Sequence, residues 1–393
     1  MKPTIKTLCT ILVIFSLTVA TVTAGETLRI GATVSATGHF ASEIGPFKKL
    51  FTAWAEQVNQ NGGISLKNTG KKLPVEVVIY DDQSQVPVVT RFYERLIEKD
   101  GVDLLIGPYS SPLTFAASIA AEKNKTPFVA VCANSPKVYN RGFQWIAGVI
   151  DLAPRYTYRY WEMVAAEKKA GSVAFVVEDT MHPRGVYGGS RKLAEDAGLK
   201  VTMAEVVPPD THEFGGLITR LKSAGSDIVY VSANVPLTIS FMKQARERGL
   251  TAKEFHCIHH SGVFKDALGS GAEGVVGQSY WSKGMGIFGE AAFLEILKTS
   301  GIDAGSYPWA PAYMSALQMV EQAVSQAGST DGVAIMKALK EGTFQTLCGV
   351  NRVHETGYGL INTYPSQILN GKYEIIWPAD KATAAHRYPG GGN

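Results

Sequence analysis

Short apolar runs alternate with stretches of helical spacing along this chain, and the pattern runs through twice. In the first pass, Thr27 to Thr33, Leu73 to Tyr80, Val102 to Ile106 and Pro127 to Val131 read as strands. Between them lie predicted helices. One covers 46–60, with Phe47, Leu50, Phe51, Trp54 and Val58 on one face and a stop at Asn61-Gly-Gly63. The next is Val86 to Lys99 with Val89, Phe92, Leu96 and Ile97 inward, followed by Pro112 to Lys123. In the second pass, strands at Ser172 to Val177, Val201 to Val207, Asp227 to Val231 and Phe255 to Ile258 alternate with helices at Arg184 to Ala197, Glu213 to Ala224 and Pro236 to Arg248. Strands that are apolar throughout and separated by helices predict an α/β fold, with parallel sheets covered by helices on both faces. The alternation pauses at 145–171, so two similar lobes are expected. The last third is dominated by helices at 288–299, 309–327 and 331–340. Short strands follow from Asn351 to Trp377, with a hairpin signal at Asn370-Gly371.

The N-terminus stands outside this pattern. Lys2 and Lys6 precede an apolar run from Leu8 to Ala20, and Val22-Thr-Ala24 places small residues before Gly25. This is the pattern of a secretory signal peptide at 1–24, cleaved near Ala24, and its apolar run is too short for a stable membrane span. Loss of Lys2 and Lys6 lowers the net charge from +3 to +1. That balance points to neither nucleic acid nor an acidic surface as partner. Cys132, Cys257 and Cys348 remain after cleavage, an odd number that reads as buried free thiols.

The stretch Val102-Asp-Leu-Leu-Ile-Gly-Pro-Tyr-Ser-Ser-Pro-Leu-Thr114 carries the clearest chemistry. A buried strand runs into glycine, two serines and a helix start. Unpaired amides and the positive end of a helix dipole meet hydroxyl donors there. The result is a cradle for a carboxylate or similar head group at the C-terminal edge of a parallel sheet. Other motifs are excluded. Gly31 to Gly38 is not a dinucleotide fingerprint, no phosphate-binding loop is present, and no nucleophile elbow occurs. His256-Cys-Ile-His-His260 has metal-ligand residue types, but a strand over 255–258 turns His256 and Cys257 to opposite faces. Neither a metal nor a cofactor is expected.

Several segments resemble the type I periplasmic solute-binding proteins of branched-chain amino acid (leucine/isoleucine/valine) ABC transporters. They are Ile30-Gly-Ala-Thr-Val-Ser-Ala-Thr-Gly38, Val58-Asn-Gln-Asn-Gly-Gly-Ile64, Ile79-Tyr-Asp-Asp82, Leu105-Ile-Gly-Pro108, Arg141-Gly-Phe143, Gln244-Ala-Arg-Glu-Arg-Gly-Leu250, Gly274-Val-Val-Gly277 and Ser366-Gln-Ile-Leu-Asn-Gly371. The match rests on their order and spacing. It implies two Rossmann-like lobes joined by three crossovers, at Trp145–Gly148, Gln278–Trp281 and Thr346–Gly349, with ligand in the cleft between them. Lobe 1 would comprise 25–147 plus 280–346 and lobe 2 would comprise 148–279 plus 347–378, leaving a flexible tail at 379–393. It further implies a monomer that captures a small-molecule solute by hinge closure and presents it to the permease subunits of an ABC importer, without catalysis. A partner of a membrane sensor and a secreted hydrolase are the alternatives.

The resemblance also names site positions. Ser111 matches the serine that holds the ligand's carboxylate, with Tyr109 and Ser110 before it; a helix N-cap is the other use of such a serine. Cys132, Ala133 and Asn134 match a second anchoring loop. In the second lobe His182, Asn234 and His260 occupy ligand-facing positions. The loop His259-His260-Ser261-Gly262 lacks the acid that pairs with an amino acid's ammonium in the family. Glu178 and Asp179 are possible substitutes. A small carboxylate, an aromatic acid or an amide therefore fits this expectation better than a plain α-amino acid. Phe40, Tyr307 and Trp309 are expected as apolar walls.

Overall fold

The computed structural model describes residues 27–390, so the signal-peptide segment lies outside the described residues. The first sheet has five parallel strands in the order Val75–Asp81, Leu28–Val34, Leu104–Ile106, Phe128–Ala130 and Ile146–Gly148. In the second, Lys200–Val207, Ser172–Glu178, Ile228–Ser232, Glu254–Cys257 and Val276–Ser279 run parallel. Tyr364–Leu369 and Lys372–Ile375 then add an antiparallel hairpin at the edge. Central strands such as Leu104–Ile106 and Ile228–Ser232 are buried along their whole length, as a sheet covered on both faces requires.

The helices follow the apolar spacing. Phe47–Gln60 buries the expected face of Phe47, Leu50, Phe51, Trp54 and Val58. On Val86–Glu98 the inward set is Val89, Tyr93 and Leu96. Phe92 is half-buried and stacks on Tyr80, with ring centroids 4.6 Å apart. Tyr93 fits the core because its hydroxyl donates to the Ile106 carbonyl at 2.6 Å. The pause in the alternation contains one further helix, Tyr158–Glu167, which buries Tyr160, Trp161, Met163 and Val164.

Two boundaries differ from expectation. The hairpin Phe344–Thr346/Gly349–Asn351 packs on the first-lobe helix Ala310–Ala327, where Leu347 N–H donates to Gln318 Oε1 and Cys348 N–H to Ser315 Oγ. The chain therefore stays with the first lobe through Asn351, and its last crossing lies at 352–363 rather than at 346–349. The segment after 378 is not a loose tail. His386 bridges Glu167 (Nδ1–Oε2, 2.8 Å) and Glu254 (Nε2–Oε2, 2.7 Å) with its side chain only 4% exposed. Arg387 pairs with Glu273, and Gly390 N–H donates to the Lys253 carbonyl. Polar composition suggested mobility, but His386 has a buried partner in Glu254, and Arg387 and Gly390 tie the segment to the second lobe. The thiols of Cys132, Cys257 and Cys348 are free and buried.

The crossovers lie side by side and bond to one another. Asp151 N–H donates to the Ile361 carbonyl, Asn362 Nδ2 donates to Asp151 Oδ2 at 2.9 Å, and Thr363 Oγ1 donates to Gln278 Oε1 at 2.7 Å. Gly359 lets two of these strands touch, since a Cβ there would lie 2.2 Å from the Val149 carbonyl oxygen. Gly359→Ala must push the crossovers apart. We expect a loss of about 1–3 kcal/mol, measured by urea denaturation.

The strap at His386 sets a pH dependence. Burial works against its charge, but the hydrogen bonds and charges of Glu254 and Glu167 outweigh burial and raise its pKa above the ordinary 6.5. A raised folded pKa gives stability that is complete below the unfolded pKa and is lost as pH rises through the folded one. Melting temperature should therefore fall as pH rises above about 6.5. His386→Ala should flatten that slope and cost about 1–3 kcal/mol at pH 6, because Glu254 loses a buried partner.

Candidate functional site

The site forms where the C-terminal edges of the two sheets face each other. On the first lobe, strand Leu104–Ile106 ends at Gly107, where a Cβ would meet the Phe128 ring at 2.9 Å, and the chain turns into helix Ser111–Asn124. Ser110 has φ +80°, a conformation that disfavours side chains. Its carbonyl accepts the Thr114 N–H and holds the turn. The Ser110 hydroxyl is buried with no hydrogen-bond partner among the described residues. Ser111, expected as the main anchor, lines the cavity and also ties two loops together: its Oγ accepts the N–H groups of Asn134 (3.3 Å) and Ser135 (3.2 Å). Its own hydroxyl hydrogen remains available.

From the second lobe, strand Ser172–Glu178 leads into helix Met181–Asp196 and places His182 opposite Asn134, with Nδ1 and Oδ1 2.7 Å apart across the cleft. Burial lowers the His182 pKa to about 3, so the ring is neutral. An amide oxygen only accepts, so Nδ1 carries the proton and Nε2 is left as a buried acceptor without a partner. The Asn134 Nδ2 donor is likewise unpartnered. His259 stacks on His182 with centroids 5.2 Å apart and rings 4° from parallel, and meets Trp309 edge-on. Burial, with His182 and His260 adjacent, holds its pKa well below the ordinary value, and both of its ring nitrogens lack hydrogen-bond partners among the described residues.

Trp309, Tyr109, Cys132 and Ile150 complete this inner cavity. Through Ser110, Ser111, His182 and Asn234 it joins a mouth cavity of ≈ 350 Å³ lined by His39, Phe40 and Met181. The inner space is only ≈ 20 Å³, room for about one water, so a solute reaches it only when the lobes part. Phe40 packs edge-on against Tyr109, and Tyr109 against Trp309, at 5.2 and 5.5 Å.

Three expected residues lie elsewhere. His260 turns away from this cavity: its Nε2 bonds Ser366 Oγ at 2.7 Å, and its ring faces Tyr373 in a separate chamber. The strand before it ends at Cys257, which leaves His259 as the ring in the cleft. Tyr307 packs on Phe47 at 6.0 Å. Ala133 is buried in the first-lobe core, and its carbonyl accepts from Tyr139 at 2.7 Å. Asn234 lines the cleft, but its side chain and backbone N–H both donate to Glu178, at 2.7 and 2.8 Å.

The loop after Glu254–Cys257 has no acid, and a buried acid stands instead behind the aromatic wall of the first lobe, on the short helix Ala41–Ile44. Glu43 is fully buried. Its Oε2 accepts from Tyr109 OH and from Trp309 Nε1 (3.2 Å), while Oε1 has no hydrogen-bond partner among the described residues. Burial pushes its pKa up to about 7, against the lowering effect of those two hydrogen bonds. The second-lobe groups facing it are Glu178 and the Val235 N–H. Nothing in the local sequence marked Glu43, because its partners Tyr109 and Trp309 lie far along the chain.

Comparison with known proteins agrees with this architecture. The sequence profile of the periplasmic binding protein family matches residues 27–369. A leucine-, isoleucine-, valine-, threonine- and alanine-binding protein of Pseudomonas aeruginosa is 26% identical over 338 residues, 83% of this chain and 85% of the relative. The isoleucine complex of a branched-chain amino acid transporter substrate-binding protein from Streptococcus pneumoniae superposes with TM-score 0.77 at 19% identity, covering 89% of this chain and 98% of the other. A solute-binding protein of an ABC transporter from Rhodopseudomonas palustris, solved with p-hydroxybenzoic acid, gives 0.76 at 21%, covering 92% and 98%. At these identities the two structures attest the shared fold. Two lobes and an interlobe cleft agree with the type I fold of these structures, and the profile match over most of the chain establishes that it belongs to the periplasmic binding protein family.

Proposed function

We propose that this chain is an exported monomeric receptor that captures a small polar-headed solute, amino acid-like, amide or carboxylate, and delivers it to the permease subunits of an ABC importer. The observation that carries this reading is the convergence of buried, unpartnered polar atoms from both lobes: Ser110 Oγ and Asn134 Nδ2 from the first, His182 Nε2 and His259 Nδ1 and Nε2 from the second. A buried polar atom without a partner costs about 1–3 kcal/mol. Several around one cleft mark a place where a bound molecule completes the bonding. Because they belong to opposite lobes, a solute that bonds to both favours the closed form, and that form is what a permease would read. The leader pattern at 1–24 and the periplasmic family of the relatives support a working site outside the cytoplasm.

A thermal-shift screen over amino acids, aliphatic acids, aromatic acids and amides tests the reading. A true ligand raises the melting temperature progressively with its concentration, by about 2.7 kcal/mol of stabilisation at a hundredfold excess over Kd. Recovery of that ligand unchanged supports capture, whereas turnover would make the protein an enzyme.

The two serines should separate in their effects. Ser110→Ala should weaken ligand binding about two- to tenfold by calorimetry and leave the stability of the free protein unchanged or raised. Ser111→Ala should also lower the stability of the free protein, by about 1–3 kcal/mol, since two buried N–H groups lose their acceptor.

A further inference from the structure

We infer that a second binding site lies between the lobes, in the chamber that holds His260, and that it takes an organic carboxylate on an apolar body. This site is separate from the cradle at Ser110 and Asn134, and it goes beyond the receptor reading.

The chamber has a volume of ≈ 370 Å³, within the range of small-molecule sites. Its second-lobe wall comes from His260, Ser261 and Lys265 and from the hairpin turn at 371–373. Its first-lobe wall comes from 281–283 and 302–305, with Leu294 and Leu297 of the helix Glu290–Ser300. The lobes touch beside it. A Cβ on Gly262 would lie 2.4 Å from Ser306 Cα, and Ser282 Oγ donates to the Tyr373 carbonyl at 3.4 Å. Only ≈ 10 Å³ of space, bounded in part by Ser261, Pro308 and Trp309, lies between this chamber and the inner cavity of the cradle. A solute seated at Ser110 therefore leaves the chamber empty.

Charge sets the chamber apart from the cradle. Lys265, Lys283 and Lys372 line it against a single acid, Asp303, whereas no lysine or arginine is among the described residues lining the mouth and inner cavities. None of the three lysines is ion-paired among the described residues. Asp303 is already engaged, its Oδ2 accepting from the Ser306 N–H and Oγ at 2.9 and 2.8 Å. The Lys265 ammonium gives one bond to the Gly371 carbonyl at 3.1 Å and lies 5.3 Å over the Tyr373 ring, which leaves further donors for an anion.

The unpartnered atoms call for the same occupant. Ser261 Oγ, Tyr373 OH and Trp281 Nε1 are buried polar atoms of the walls with no hydrogen-bond partner among the described residues. Ser261 and Trp281 are only 2% and 8% exposed. The indole N–H can only donate, and both hydroxyls can donate, so one acceptor group answers all three. His260 meets Tyr373 edge-on at 5.2 Å and holds that phenol in place. Leu294, Leu297, Ile302 and Pro308 make the rest of the wall apolar, and a bare inorganic anion would leave that surface uncovered. Since Ser261 and Tyr373 stand on one lobe and Trp281 on the other, an occupant bonded to them enters while the lobes are apart and favours their closure.

Calorimetry with 4-phenylbutanoate and octanoate, against the matching amides and amines and against inorganic phosphate, tests the assignment. The acids should bind about three- to tenfold more tightly than any of these, and their affinity should fall as salt is raised. Lys265→Gln combined with Lys372→Gln, at a half-exposed and an exposed position, should weaken the acids about three- to tenfold and leave the amides unchanged. In crystals grown with 4-(4-bromophenyl)butanoate, anomalous scattering should place the bromine in the chamber beside Trp281. A bromine found only at the mouth or the cradle would overturn the inference and leave the receptor reading standing. So would acid affinities that the double variant does not change, or binding by none of these acids. Conversely, acids bound in the chamber while no solute binds at the cradle would sustain this site and sink the receptor reading.

Discussion

A parallel sheet sends the C-terminal ends of all its strands to one edge, and there the chain must turn into helices whose first amides have no partner. Two such edges face each other in this protein. Everything that distinguishes the cleft follows from bringing them close enough to exclude water. The Ser110 turn, the Asn134 loop, the start of the His182 helix and the His259 loop are all strand-to-helix turns at these edges. The two sheets thus place chemical groups from distant parts of the sequence within one small volume.

Exclusion of water then sets the electrostatics. Rings that would titrate near neutral pH in solvent stay neutral when buried, and a carboxylate with two good donors is still pushed upward. Neutral histidines act as directional hydrogen-bonding groups and carry no charge. Near the cleft the buried carboxyl groups are Glu43 and Glu178, one on each lobe. Since they belong to different lobes, their separation changes with the hinge.

The hinge itself is an ordered structure. Its crossovers share backbone bonds and the Asp151–Asn362 and Gln278–Thr363 contacts, and glycine at 359 allows them to lie against one another. Rotation about such a bundle moves each lobe as a body, which is how two bonding half-sites can separate and meet again without rebuilding either.

Local sequence determined much of this. Apolar runs and helical spacing depend on neighbours along the chain, so the strands, the main helices and the cradle at Gly107–Ser111 were legible directly. The order of family-like segments added the two lobes and the cleft, and pointed to Asn134, His182 and Trp309, which the fold brings to one cavity. What sequence could not supply were contacts between residues far apart. Glu43 meets Trp309 across 266 positions, and His386 meets Glu254 across 132. Which of two adjacent histidines, 259 or 260, faces the cleft turned on where one strand ended. Which of Ser110 and Ser111 found protein partners was decided by a backbone turn. Secondary structure and topology were thus local and readable, whereas the charge of the cleft was decided by tertiary packing, because desolvation and pairing exist only once distant segments have closed together.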